Sequence, residues 1–349
     1  MLYFDCDYNC GMHPAILRRL EETNGEYTGT YGLDCFSEGA KQRIQDACGD
    51  PEADIFFLAG GTQANAVVID SLLKPWQGVV CAPSGHINVH EAGAVEYTGR
   101  KVMALPDHED GKIRPEELQD FLQKFSDDGS RDHMVEPGLV YISFPTEMGT
   151  LYSAKEISAI HDVCKEYGCK LFIDGARLGY GLGAEVNDIS LGFLADHCDS
   201  FYIGGTKVGA QFGEAVVFPH HGAPDHFFTI IKQHGALLAK GRFTALQFDV
   251  LFTDCLYEDI GRRADTFALQ LRELFVRYGI GRPAVLSHTN QQFLILENGM
   301  IAKLRGLVKF EVWSATDEGH SLCRFVTSWA TTQDDIDCLE DICKSVSGN

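Results

Sequence analysis

Positive charge is scarce in this chain of 349 residues: 29 Lys and Arg stand against 50 Asp and Glu, a formal net charge of −21. A nucleic acid or an anionic membrane as main partner calls for a basic face, so neither is expected. A small anionic ligand is not excluded, because it needs only local positive groups. Long apolar runs are missing too, and none approaches the ~18 residues of a membrane span. The first residues, MLYFDCD, lack the basic start and apolar core of a secretory signal. The 12 cysteines contain no Cys-x-x-Cys pair and no zinc-type spacing. A reducing cytoplasm with free thiols is therefore the expectation. There is no Gly-Lys-Ser/Thr of a Walker loop, and the glycines of Gly179-Tyr-Gly-Leu-Gly183 do not have dinucleotide-binding spacing.

What is present is an ordinary globular composition, long enough for a large domain and a smaller one. Short apolar runs at 55–58, 78–82, 101–105, 140–144, 171–173 and 201–203 read as strands. Helical patterns at 63–73, 114–124 and 154–167 separate several of them, and this alternation predicts an α/β fold with a mostly parallel sheet. Helical spacing also marks 14–23, 38–48 and a short piece at 88–94. After about residue 225 the pattern changes. A nearly continuous helix is predicted over 227–254 and another over 259–278. Three short strands follow at 292–296, 309–313 and 322–327, then a helix at 334–345: a smaller α+β domain. The expected division is an N-terminal segment (1–20) packing with the small domain, a large domain (21–248) and a small C-terminal domain (249–349).

Asp174 ends one of these strands, and Lys207 follows another through Gly204-Gly205-Thr206. The carboxyl edge of an open α/β sheet is where such folds bind ligands. Either residue alone reads more readily as a solvated charge. Together they suit pyridoxal 5′-phosphate (PLP), which needs a Schiff-base lysine and an acid that keeps the pyridinium nitrogen protonated. Gly60-Gly61-Thr62-Gln63, between a strand and a helix, suits a phosphate at a helix start, although a tight turn explains it about as well. His86, in Ser84-Gly85-His86, could stack on a flat ring or merely cap a turn. His86 and His90 are one helical turn apart before Glu91, but the order is not that of a zinc protease, and no metal is expected. Arg324 interrupts an apolar strand and calls for a partner: an internal acid or a substrate carboxylate.

Taken with the motifs PSGHINVHEAGAVE, FIDGARLG and IGGTKVGAQFGEAVV, these residues resemble the PLP-dependent threonine aldolase/β-eliminating lyase family. The resemblance runs from about Asp5 to Ile342. It implies a PLP-dependent transferase fold of type I, with a seven-stranded-type sheet in the large domain. It further implies that Gly60, Gly61, Thr62 and Gln63 form the phosphate turn, that Asn65 matches a family Asn, that His86 stacks on the ring, that Asp174 meets the pyridinium and that Lys207 forms the Schiff base. Arg177 would approach the cofactor and the substrate carboxylate, and Arg324 would bind the carboxylate. Tyr31, in Tyr31-Gly-Leu-Asp34, matches a family tyrosine. Two departures stand out. The family's N-terminal Ser-Asp is Cys6-Asp7 here, which places a thiol where a substrate-contacting hydroxyl is usual. The family's Glu-Asn-Thr-His segment is replaced by Ser143-Phe-Pro-Thr-Glu147-Met-Gly-Thr150, so Glu147, His86 or a water would take the β-hydroxyl proton.

The implied activity is retro-aldol cleavage of a β-hydroxy-α-amino acid, L-threonine or L-allo-threonine, to glycine and acetaldehyde. Elimination or racemisation of another small L-amino acid is the alternative chemistry, and a degenerate assembly subunit the non-enzymatic one. The resemblance also implies a homodimer or homotetramer with sites at the subunit interface. Tyr31 and the segment Lys232–Arg242, with Lys240 or Arg242 reaching a neighbour's phosphate, are the candidates for contributions across it.

Overall fold

The structure, a computed structural model, describes residues 1–347. Its centre is a seven-stranded sheet in the spatial order 54–58, 214–218, 200–204, 170–174, 136–143, 77–81 and 101–104. All neighbours are parallel except the strand Glu214–Phe218, which is antiparallel to both strands beside it. Alternation along each strand explains why both faces are covered. Leu171, Ile173, Phe201, Ile203, Val140 and Ile142 face one apolar cluster, which holds residues of the helices Cys35–Cys48 and Ala154–Tyr167. Phe172, Tyr202, Leu139 and Tyr141 face the other, against the helices Gly61–Leu72 and Phe227–Gln233. Helix ends follow local chemistry. Asp34 accepts from Phe36 and Ser37 N–H at the start of Cys35–Cys48, and Ser153 and Glu156 form a capping box at Ala154–Tyr167.

A four-stranded antiparallel sheet, in the order 311–315, 320–326, 291–297 and 281–283, forms the smaller unit. Leu2–Tyr3 pairs with Val308–Lys309, and Phe4 joins the apolar cluster of the small unit, so the first residues pack there. The helix Leu256–Arg277 bridges the two units. Tyr257, Ile260 and Ala264 belong to the large cluster, and Phe267, Leu271 and Phe275 to the small one. No helix of the described residues is long and apolar enough to cross a membrane.

Several expectations are corrected. The helix expected over 227–254 is two helices, Phe227–Gln233 and Arg242–Leu251. The break lies where Gly235 adopts a positive φ of 66°, a conformation that ends helices. The helical piece at 88–94 is two single turns, His86–Val89 and Ala94–Tyr97, separated by Gly93 with φ 74°. The strand expected at 309–313 is shared between Val308–Lys309 and Glu311–Ala315, which belong to different sheets. The strand Glu214–Phe218 was not expected, because its five residues follow a glycine-rich loop without a helix between.

Candidate active site

Two glycines let the strand ends carrying Asp174 and Lys207 approach each other. A Cβ on Gly175 would stand 1.9 Å from the Tyr202 carbonyl oxygen, and one on Gly204 would stand 2.3 Å from that of Ala176. Gly204 N–H donates to the Gly175 carbonyl at 2.9 Å. Any side chain here would wedge the two loops apart.

Asp174 is buried at the end of its strand, 3% exposed. Tyr202 and Ala176 N–H donate to Oδ1, and Tyr141 and Asn65 to Oδ2. Burial works against its charge, but His86 and these donors prevail and hold its pKa below the usual carboxylate value. It stays ionised, and two of its four donors are tyrosine hydroxyls, which rotation can turn aside for an incoming N–H. Asn65 also donates to Glu91 Oε1 at 2.7 Å, and Glu91 Oε1 lies 2.8 Å from His86 Nδ1. Burial would discharge the imidazole. The Glu91 hydrogen bond, with Glu147 and Asp174 nearby, overrides this and raises the His86 pKa.

Lys207 lies three residues past its strand. Among the described residues its Nζ has no hydrogen-bond or ion-pair partner. Burial first, and then the Arg177 charge, lower its pKa against the pull of Asp7, Glu147 and Asp174. An amine so placed loses its proton more readily than a surface lysine. Arg177 donates from Nε to Asp7 Oδ2 at 2.8 Å and from Nη2 to Asp7 Oδ1 at 3.0 Å. Asn290 donates to the same Asp7 at 2.9 Å. Arg324 is 8% exposed and is flanked by Gln291, Glu311 and Trp313. Cys6, half-buried, has its thiol pKa raised by burial and by Asp5 and Asp7, with Arg324 opposing. Glu147 is partly buried, accepts a long bond from Ser143 at 3.3 Å and faces the charges of His86, Arg177 and Lys207.

The glycine turn sits at the carboxyl end of the strand Asp54–Leu58. Gly60 is the N-cap of Gly61–Leu72 and supplies no side-chain cap, so the first amides of a 12-residue helix remain available to an anion. A Cβ on Gly61 would press on the Tyr202 hydroxyl at 3.1 Å, which would have to give by a few tenths of an ångström. The Gln63 side chain closes this turn, its Oε1 accepting from Ala59 N–H at 3.0 Å.

Lys207, Asp174, His86, Glu147, Arg177, Cys6 and Arg324 are thus drawn toward one edge of the sheet. Tyr31 is not drawn into the same cluster. Its φ is 60°, its ring lies 4.7 Å from Lys232 Nζ, and it shares a surface depression with Leu33, Phe228 and Leu238. Arg242 is engaged within its own chain, donating to the carbonyls of Glu26 and Asn24, while Lys240 is exposed. The partners that sequence reasoning gave no role are Asp7, Glu91, Tyr141 and Tyr202, together with Glu214.

Glu214 accepts from Thr206 Oγ1 at 2.8 Å and from Gly205 N–H at 3.2 Å, so it braces the loop that carries Lys207. Burial pushes its pKa up from 4.5 to about 8, against Thr206 and the Lys207 charge. A folded-state value above the unfolded one means a contribution to stability that is complete below about pH 4 and lost as pH rises toward 8. Glu214→Gln keeps an acceptor for Gly205 and offers a donor to Thr206. It is expected to flatten the fall in melting temperature between about pH 5 and 8. Equal slopes for the two proteins in thermal unfolding would discard the assignment.

Comparison with known proteins adds to this geometry. The beta-eliminating lyase family profile matches residues 19–304. A low specificity L-threonine aldolase of Pseudomonas aeruginosa is 28% identical over 348 residues, 98% of this chain and 96% of that protein. The solved structure of a Leishmania major threonine aldolase is 38% identical, covers 99% of this chain and 100% of its own, and superposes with a TM-score of 0.95. A histidinol-phosphate aminotransferase from Clostridium acetobutylicum, 14% identical with full coverage of both chains and a TM-score of 0.73, shares the fold alone.

Proposed function

The chain belongs to the beta-eliminating lyase family, in its threonine aldolase group, and on that premise we propose that it is a PLP-dependent lyase cleaving L-threonine or L-allo-threonine to glycine and acetaldehyde. One observation carries the reading: a partly buried lysine amine, Lys207, without a hydrogen-bond or ion-pair partner among the described residues, lies at the same sheet edge as an ionised, buried Asp174. The residues present fit the cofactor. Lys207 would hold it covalently, the amides of Gly61 to Gln63 and the Thr62 hydroxyl its phosphate, His86 a ring face and Asp174 the ring nitrogen. When bound, PLP supplies a protonated ring that takes up the electron pair released as the substrate's Cα–Cβ bond breaks.

The chain's own groups do the rest. Asp174 keeps a proton on the ring nitrogen, and Asn65, Tyr141 and Tyr202 keep Asp174 charged. Arg324 takes the substrate carboxylate, and Arg177, with Nε and Nη2 held by Asp7, offers its remaining nitrogen to the same region. Gripping the carboxylate fixes which bond at Cα stands across the ring, and so which bond breaks. Of the candidates for the β-hydroxyl proton we favour Glu147. Glu91 and its neighbours favour the protonated form of His86, which leaves His86 a donor.

We also propose a cytoplasmic homodimer or homotetramer with sites completed across the interface. The 12 unpaired cysteines support the compartment. The exposed Tyr27, Tyr31, Leu33 and Phe228 support a covered surface. The deciding experiment is a substrate panel with purified holoprotein. Glycine and acetaldehyde from threonine are expected, with little pyruvate from serine or cysteine. Pyruvate as the main product would replace the aldolase reading by elimination, and sedimentation as a monomer would remove the shared site.

A further inference from the structure

The guanidinium of Arg324 is unevenly served. Nη1 donates to Gln291 Oε1 at 3.1 Å, Nη2 is ion-paired with Glu311 Oε2 at 2.5 Å, and the buried Nε has no partner among the described residues. Nε and Nη2 form one edge of the fork, the edge that grips a carboxylate by both oxygens. Arg177 shows this arrangement in the same molecule, its Nε and Nη2 holding the two oxygens of Asp7. Glu311 fills only half of the equivalent edge on Arg324. A buried N–H without an acceptor costs free energy, so a carboxylate spanning the edge satisfies Arg324 better than Glu311 does.

Glu311 is also free to leave. It sits on the edge strand Glu311–Ala315, directly across from Arg324, and its side chain is 48% exposed. Water can rehydrate it without a large penalty. Arg324 keeps its other supports when that happens. The strand register slips between Val312 and Ser314, which leaves Trp313 as the extra residue, and such bulges re-aim a side chain. The Trp313 ring lies 5.0 Å from Arg324 Cζ and 5.9 Å from the ring of His90 on the large domain. Gln291 holds Nη1 from the other neighbouring strand.

Resting on the carboxylate-binding role given above to Arg324, we propose that Glu311 is an internal competitor for the substrate carboxylate. It occupies one arm of Arg324 in the free enzyme and is displaced when the amino acid binds. It thereby sets the affinity for the amino acid from outside the bond-breaking chemistry.

The test is glycine binding to the holoenzyme, read from the change in cofactor absorbance, with kcat and KM for threonine measured on the same preparations. Glu311→Gln and Glu311→Ala are expected to bind glycine about two- to five-fold more tightly than the parent, the range of a half-exposed ion pair. The matching gain in kcat/KM should appear in KM. If Glu311 instead orients Arg324, both variants bind glycine more weakly. Unchanged or weaker affinity overturns the competitor while threonine cleavage by the parent leaves the functional reading standing. A parent holoenzyme that neither responds to glycine nor cleaves threonine overturns both.

Discussion

Lys207→Ala is expected to reduce glycine release by at least about 10³-fold, equal to about 4 kcal/mol of barrier, and to remove the absorbance band near the visible edge. The Lys207 amine makes no hydrogen bond among the described residues, so its loss opens no network. Burial and the Arg177 charge lower its pKa, which favours the neutral amine needed for covalent attachment. The melting temperature should stay close to that of the parent, because the substitution removes a charge that burial disfavours. Lys207→Arg separates charge from nucleophilicity: it keeps the cation but cannot lose its proton. It should be as inactive as the alanine variant. A Lys207→Arg protein that keeps its rate would show that only positive charge is required there, and would remove Lys207 from its assigned role.

Asp174 and Lys207 are legible in the sequence because Asp174 ends an apolar run and Lys207 follows another by a short glycine-containing turn, and the strand ends of a parallel sheet converge on one edge. Their neighbours are hidden for physical reasons. Tyr141 and Tyr202 read as ordinary apolar strand positions, yet from the two strands that flank Lys170–Asp174 their hydroxyls reach Asp174. Glu214 opens a run otherwise made of apolar residues. Glu311 and Arg324 face each other only once the register of their strands is known, and a bulge makes that register irregular. Glu91 appears in the chain as a residue beside two histidines, but the turn between them points it at His86 and Asn65. The break in the expected 227–254 helix rests on the conformation at Gly235, while the apolar spacing on either side stays helical. Tyr31 matched a family pattern, but its contacts are with Lys232 and the 228–241 surface.

The pair between Asp7 and Arg177 spans 170 positions of sequence and joins the N-terminal segment to the loop after Asp174. Asp7→Ala is therefore expected to cost about 3–5 kcal/mol, the usual penalty for leaving one member of a buried ion pair without its partner. Asp7 has a fully buried side chain and Arg177 is 7% exposed, so water cannot replace what is lost. Asn290 would lose its acceptor as well. The melting temperature should fall by about 10 °C. The pH dependence has a definite sign. Burial opposes the Asp7 charge, but Arg177, Lys207 and the hydrogen bonds prevail and lower its pKa. A depressed carboxylate value gives stability that is present above the unfolded pKa of about 4 and is lost as pH falls below it. The parent should therefore lose stability in that acidic window more steeply than Asp7→Asn. Replacing both partners with apolar residues, Asp7→Leu with Arg177→Met, should cost less than the sum of the single changes, because no charge is then stranded. Strict additivity in that cycle, or a loss below about 1 kcal/mol for Asp7→Ala, would show that the pair does not hold the N-terminal segment against the site.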